Sequence, residues 1–138
     1  MKEYKKQYHN RRTRILIIDD EPDITIVFRK ALMDGGFEEV ETANDPIPVL
    51  KIFKEGSYDL LIIDIVMPEM DGFCLYERIR KIDNKVKVCF ITAFDVNYQA
   101  LRAVFPAANT TDDIGCFIRK PVDMDDLVKH VKGELDHD

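Results

Sequence analysis

The sequence predicts a single α/β domain built on a five-stranded parallel sheet. Strand-like and helix-like segments alternate five times along 138 residues, and such alternation is typical of βαβ units with right-handed crossovers. Four of the strand-like segments are continuous apolar runs, as expected of strands that are buried on both faces. Each of these four runs is followed directly by a charged or hydroxyl residue.

The first strand and first helix have clear boundaries. The strand is the apolar run 15–18, and Pro22 stands where the first turn of a helix tolerates proline. Residues 35–36 are both glycine, which is typical of a helix end. Five apolar residues between these limits have the spacing of one helix face: Ile24, Val27, Phe28, Ala31 and Leu32.

The second strand and second helix are less regular. Residues 39–43 alternate in polarity, which predicts a strand at the edge of the sheet. The turn residues 44–46 open a helix that we expect to end at Gly56, although Pro48 disfavours its first turn. The second strand is therefore followed by a helix and then a glycine, in the same order as in the first unit.

The second half of the chain completes the alternation. Strands are predicted over 58–63, 86–91 and 115–118, and a fourth helix over 96–105. The third helix carries the apolar residues Phe73, Tyr76, Ile79 and Ile82. The last helix has Asp123 as its N-cap, and it is expected to bury Met124, Leu127, Val128, Val131 and Leu135.

Composition excludes several classes of protein. Apolar residues make up 46% and charged residues 33% of the chain, as in ordinary globular domains. No apolar run approaches the roughly 20 residues of a membrane span, and the N-terminus lacks the apolar core of a secretory signal. Net charge is −6, although residues 1–14 carry six basic side chains and one acidic side chain. We interpret residues 1–13 as a flexible, solvated leader rather than an arm that binds nucleic acid.

The three cysteines are widely spaced and form no Cys-x-x-Cys pair. We expect Cys74, Cys89 and Cys116 to be reduced, buried thiols in a cytoplasmic protein. The three histidines do not cluster with them, so no zinc site is predicted.

Three carboxylates, one hydroxyl and one ammonium group are expected at one end of the sheet. They follow the four buried runs as Asp19-Asp20, Asp64, Thr92 and Lys120. Ligands bind outside the carboxyl ends of parallel strands. Converging carboxylates repel one another unless a cation neutralises them. The sequence therefore predicts a site for a divalent cation and a phosphoryl group.

The motifs resemble those of the receiver domain of two-component response regulators. In order, they are Asp19-Asp20, Asp64-Ile65-Val66-Met67-Pro68-Glu69-Met70-Asp71-Gly72, Thr92-Ala93 and Lys120-Pro121. The resemblance covers about residues 14–135 and implies a doubly wound (βα)5 flavodoxin-like fold. The expected organisation is a leader over 1–13 and one receiver domain over 14–136.

The resemblance also implies roles for individual residues. Asp64 would accept the phosphoryl group, with Lys120 and Thr92 assisting. Mg²⁺ would be bound directly by Asp20, Asp64 and the backbone carbonyl of Val66, and by Asp19 mainly through water. Thr92 and Phe117 would form the conformational switch. Apolar residues at Val66 and Phe94 predict slow loss of the phosphoryl group, because neither side chain can orient an attacking water.

Partners follow from the same resemblance. A histidine kinase or phosphotransfer protein would supply the phosphoryl group, and an unidentified output partner would read it. Receivers commonly dimerise through the fourth helix, fifth strand and fifth helix, but the long segment 106–113 in that region could remodel this face. Nucleic acid and membrane are not expected partners, and the protein is not expected to turn over an external substrate.

Three alternatives are carried alongside this interpretation. The chain could be a receiver cut from a longer regulator or hybrid kinase. It could be a degenerate receiver that binds partners without phosphorylation, although every required side chain is present. It could also be a phosphatase with an aspartyl nucleophile, but that class expects Asp-x-Asp after the first strand. Here Glu21 follows Asp19-Asp20.

Overall fold

The computed structural model describes residues 12–93 and 116–136. The elements in these ranges are β1 (Arg14–Ile18), α1 (Pro22–Asp34), β2 (Glu39–Ala43), α2 (Pro46–Ile52), β3 (Leu60–Asp64), α3 (Gly72–Ile82), β4 (Lys87–Thr92), β5 (Phe117–Arg119) and α4 (Met124–Asp136). The predicted fourth helix over 96–105 lies outside the described residues. The terminal helix, the fifth in the sequence prediction, is therefore labelled α4. Most of the predicted leader, Phe94 and the segment 106–113 also lie outside the described ranges.

The five strands form one parallel sheet in the order β2-β1-β3-β4-β5. This confirms the predicted α/β class and the position of β2 at an edge. Because the strands are parallel, their carboxyl ends all lie at the same end of the sheet. The central pairing of β1 with β3 aligns Ile18 with Ile63, so that the residues after these two strands are neighbours.

The helices lie on both faces of the sheet, as expected of a doubly wound fold. Alternate side chains of each central strand belong to two separate apolar clusters. One cluster joins Leu16, Ile18 and Phe90 to residues of α2 and α3. The other joins Ile15 and Ile17 to residues of α1 and α4. The continuous apolar runs in the sequence are explained by this burial on both sides.

Helix α2 ends earlier than the sequence predicts. It runs only to Ile52, with Phe53 as its C-cap, and Gly56 lies in the following turn with φ of +78°. Its N-cap is Asp45, whose side chain accepts a hydrogen bond of 3.0 Å from the Ile47 N–H. Pro48 is tolerated because the first N–H groups of a helix have no partner within it.

In the described part of the chain, no helix is both long and apolar enough to cross a membrane.

The predicted buried face of α1 is wrong at one position. Val27 is 49% exposed, whereas Thr25, Phe28 and Leu32 are buried. Ile24 and Ala31 are partly buried against the same cluster. Thr25 can be buried because its hydroxyl donates a hydrogen bond of 2.9 Å to the Pro22 carbonyl, which satisfies this polar group.

The expectation of three reduced thiols is also wrong. Cys89 on β4 and Cys116 directly before β5 form a disulfide with a Cα–Cα distance of 4.6 Å, and only Cys74 is free. The next residues along, Phe90 and Phe117, are paired in register. Parallel pairing therefore brings together two cysteines that are 27 residues apart in sequence.

Candidate functional site

Three carboxylates converge where β1 and β3 end. Asp19 and Asp20 follow β1, and Asp64 is the last residue of β3. One oxygen from each side chain lies within 4.8 Å of the others. Asp19 and Asp64 are buried and Asp20 is partly exposed. The convergence predicted from the sequence is present.

Lys120 adds an ammonium group to this cluster from the residue after β5. Its Nζ donates a hydrogen bond of 3.1 Å to Asp19 Oδ2 and lies 3.7 Å from Asp64 Oδ2. Asp19 is therefore its nearer partner in this state. Lys120 is followed by a cis peptide bond to Pro121, an isomer that the sequence left open.

Burial and like charge act together on Asp64. Burial, followed by the neighbouring Asp19 carboxylate, raises the pKa of Asp64 to about 7, although Lys120 and the Val66 N–H oppose the rise. Burial by itself would lower the pKa of Lys120. The carboxylates of Asp64 and Asp19 outweigh it, and the pKa of Lys120 is raised.

The donor set fits a small, hard divalent cation. All three groups are carboxylates, which are the ligands that Mg²⁺ prefers in proteins. A bound dication would relieve the repulsion from Asp19, which adds to the effect of burial in raising the pKa of Asp64. The Val66 N–H donates a hydrogen bond of 3.2 Å to Asp64 Oδ1 and thereby helps to orient this carboxylate. Val66 is also the residue whose backbone carbonyl was predicted to bind the metal.

Thr92 is placed beside Lys120 by the backbone. The Lys120 N–H donates a hydrogen bond of 2.7 Å to the Thr92 carbonyl. The Thr92 side chain is fully buried, and among the described residues its hydroxyl is the one buried side-chain polar atom without a hydrogen-bond partner. Burying such a group without a partner is costly.

Phe117 packs with other aromatic side chains on the face of the sheet that α2 and α3 cover. Its ring stacks on Phe90 at 5.6 Å between centroids and lies 6.4 Å from Phe73. The side chain is partly exposed at the edge strand β5. Phe117 is therefore positioned between the core and the surface.

Sequence reasoning missed one charged residue at the site. Glu21 Oε1 lies 3.8 Å from Lys120 Nζ, and the Glu21 N–H donates to Asp19 Oδ1 at 2.9 Å. The available signal was a third consecutive acidic residue after β1. Because Glu21 is mostly exposed, we regard it as a rim carboxylate that competes for Lys120.

Gly72 allows α3 to begin directly against the end of β3. Its N–H donates to the Ile65 carbonyl at 2.7 Å, and a Cβ on Gly72 would lie 2.5 Å from the Asp64 carbonyl oxygen. The backbone of Gly72 is therefore in close contact with that of Asp64, the predicted phosphoacceptor.

We expect Gly72→Ala to destabilise the protein by about 1–3 kcal/mol, because the added methyl group overpacks this contact. Gly133→Ala in α4 is the matched control. A Cβ there meets no atom within 4 Å, so the same change should raise stability by about 0.5–1 kcal/mol. Urea unfolding measures both. Equal effects of the two variants would contradict the proposed close contact.

Comparisons of the sequence and the structure with known proteins agree on one family. Residues 15–132 match the family model of the response regulator receiver domain. The chain is 30% identical to the chemotaxis protein CheY of Bacillus subtilis over 88% of this chain and 97% of that protein. It is 31% identical to the transcriptional regulatory protein TrcR of Mycobacterium tuberculosis, but spans only 45% of its length. A CheY-like receiver domain protein from Methanospirillum hungatei is 26% identical, with a TM-score of 0.72 over 91% of this chain and 94% of that one.

Proposed function

Because the chain belongs to the response regulator receiver domain family of two-component systems, we propose that it is a phosphoacceptor signalling module with Asp64 as the acceptor. The observation that carries the proposal is the placement of the Lys120 ammonium 3.7 Å from Asp64, within a cluster of three carboxylates. A cation on one side and an ammonium on the other would balance the charge of an incoming phosphoryl group.

The proposed step is a transfer to the carboxylate of Asp64. An Asp64 oxygen attacks phosphorus, and a new O–P bond forms as the bond to the donor breaks. The donor's imidazole nitrogen, or the acetate oxygen of acetyl phosphate, leaves with the electron pair. Lys120 pairs with the charge on the phosphoryl oxygens. Such transfers depend mainly on positioning and electrostatic stabilisation.

We assign Mg²⁺ to Asp20, Asp64 and the Val66 carbonyl, with Asp19 acting mainly through water. The ion would neutralise the phosphoryl oxygens and the repulsion among the carboxylates. Asp19 has a second role that its geometry supports, because its hydrogen bond of 3.1 Å holds Lys120 close to Asp64. Removing Mg²⁺ should therefore stop transfer without displacing Lys120.

We infer that Thr92 and Phe117 transmit the change. The Thr92 hydroxyl, which has no hydrogen-bond partner among the described residues, can donate a hydrogen bond to a phosphoryl oxygen on Asp64. Its movement towards the site would leave space that the partly exposed Phe117 ring could fill, next to Phe90. A partner that binds the surface near β5 would then distinguish the two states.

Partners and location are proposals of the same kind. We propose a histidine kinase or phosphotransfer protein as donor, an output partner that reads the switch, and a cytoplasmic location. Dimerisation through the fourth helix, fifth strand and fifth helix stays a prediction, because 96–105 lies outside the described residues. Since the chain spans about half of TrcR, a role as the receiver part of a longer regulator remains the second candidate.

The test is incubation with acetyl phosphate and MgCl₂, followed by intact mass measurement. One adduct of about 80 Da, which is the mass of a phosphoryl group, supports the proposal if EDTA prevents its formation. Failure of the protein to acquire the adduct would identify it as a degenerate receiver. Continuous release of phosphate without an adduct would instead favour the phosphatase alternative.

The phosphoryl group should be lost slowly once it is formed. Val66 lies two residues after the acceptor, is 60% exposed and cannot orient an attacking water. We therefore expect Val66→Asn to hasten the decay of the phosphorylated protein in Mg²⁺, measured by intact mass over time. A half-life of seconds for the unsubstituted protein would contradict this expectation.

A further inference from the structure

The residue directly after the edge strand β2, Asn44, contributes a side chain that forms a hydrogen bond to the backbone of the acidic loop. Asn44 directly follows Ala43, the last residue of β2, and its Nδ2 donates a hydrogen bond of 2.8 Å to the backbone carbonyl of Asp19. The same nitrogen donates to Thr25 Oγ1 at 3.2 Å. Asn44 thus connects the loop after β1 with the first turn of α1.

Both the carbonyl and the N–H of Asp19 form hydrogen bonds to residues at the end of β2 or directly after it. Its carbonyl accepts from Asn44, and its N–H donates to the Ala43 carbonyl at 3.1 Å. The peptide group is planar, so fixing the Asp19 carbonyl also orients the nitrogen and Cα of Asp20. The direction in which Asp20 presents its carboxylate therefore depends on a side chain from the loop after β2.

Thr25 completes this arrangement. Its hydroxyl donates to the Pro22 carbonyl at 2.9 Å, which leaves the oxygen free to accept from Asn44. Thr25 is 1% exposed, whereas Asn44 is exposed. A buried hydroxyl on α1 therefore holds the Asn44 amide in the orientation in which it reaches Asp19.

We propose that Asn44, supported by Thr25, is a positioning residue for the divalent-cation site, because it orients the Asp19–Asp20 peptide. The inference rests on the proposed function and extends it to the loop after β2. Groups of this kind tune metal affinity without touching the ion, and their loss weakens binding by roughly 10–100-fold.

The test measures Mg²⁺ binding to the full chain by calorimetry, without any phosphoryl donor. Asn44→Ala should weaken binding by roughly 10-fold or more. Asn84→Ala is the control, since Asn84 is exposed in the turn before β4, at the opposite end of the sheet. A second measurement follows acetyl phosphate transfer as Mg²⁺ is raised. The half-saturating Mg²⁺ concentration should rise in Asn44→Ala, while the rate at saturation returns to that of the unsubstituted protein.

Thr25 supplies an independent pair of variants. Thr25→Val keeps the shape and removes the hydroxyl, whereas Thr25→Ser keeps the hydroxyl. Only the valine variant should weaken Mg²⁺ binding, and thermal unfolding without Mg²⁺ establishes that both are folded.

The outcomes distinguish this inference from the proposed function. Normal binding by the unsubstituted protein together with binding within twofold in Asn44→Ala would overturn the positioning role alone. Equal weakening in Thr25→Val and Thr25→Ser would also overturn it. No Mg²⁺ binding by the unsubstituted protein would overturn the proposed function and this inference together.

Discussion

Asp64→Asn is expected to abolish phosphoryl uptake from acetyl phosphate completely. The neutral amide has nearly the same shape but lacks the anionic oxygen that attacks phosphorus. Intact mass spectrometry in MgCl₂ measures the loss. Asp34→Asn is the matched control, because Asp34 is an exposed carboxylate whose ion pair is with Lys30 on the same helix. An adduct on Asp64→Asn would mean that a different residue is the acceptor.

The same variant should be more stable than the unsubstituted protein in Mg²⁺-free buffer at pH 8. Burial and the Asp19 carboxylate raise the pKa of Asp64 from 3.8 to about 7. Between these values the folded state holds a proton that the unfolded state has lost. The associated stability is complete below about pH 4 and is lost as pH rises through about 7. Asparagine does not titrate, so this part of the pH dependence should disappear.

Urea unfolding at several pH values between 4 and 8, in EDTA, measures this difference. The unsubstituted protein should lose stability over that range more steeply than Asp64→Asn. Adding Mg²⁺ at pH 8 should stabilise the unsubstituted protein selectively, since a ligand that binds only the folded state stabilises it. Parallel pH profiles for the two proteins would contradict the assigned environment of Asp64.

Reduction of the Cys89–Cys116 disulfide is expected to lower the free energy of unfolding by about 3.5 kcal/mol. The disulfide joins residues that are 27 apart in sequence, and a closed loop of this size restricts the unfolded chain by about that amount. Urea unfolding with and without a reductant measures the change. A variant with both Cys89→Ala and Cys116→Ala should show no response to the reductant.

Thiol counting checks the disulfide directly. Alkylation of the denatured, unreduced protein should modify Cys74 only, and all three cysteines should react after reduction. Disulfides are uncommon in cytosolic proteins, so the count also bears on the proposed location. Three reactive thiols before reduction would show that the pair is not joined under those conditions.

Fold class and the main site residues were predictable because both depend on local patterns. Burial on two faces requires continuous apolar runs, and parallel strands bring their carboxyl ends to one edge. Asp19, Asp20, Asp64 and Lys120 could therefore be grouped before any contact was known. Their proximity is confirmed by the cluster within 4.8 Å and the Lys120 contacts. The roles assigned to them stay predictions.

Other features depended on register and on backbone geometry. The disulfide arises because parallel pairing sets Phe90 opposite Phe117, which brings Cys89 beside Cys116. Val27 fitted a helical apolar pattern yet is 49% exposed, because the position of the sheet selects which face of α1 is buried. A periodic pattern of apolar residues does not show which of two adjacent faces of a helix the sheet will cover.

Local sequence patterns were enough to predict that polar groups would meet at one end of a parallel sheet, since these patterns specify both the order and the direction of the strands. How the groups are held depends on tertiary contacts. Lys120 pairs more closely with Asp19 than with Asp64, and the Asn44 amide reaches the Asp19 carbonyl from the loop after β2. Hydrogen bonds between residues that are distant in sequence depend on the register and spacing of packed elements, which no single segment encodes.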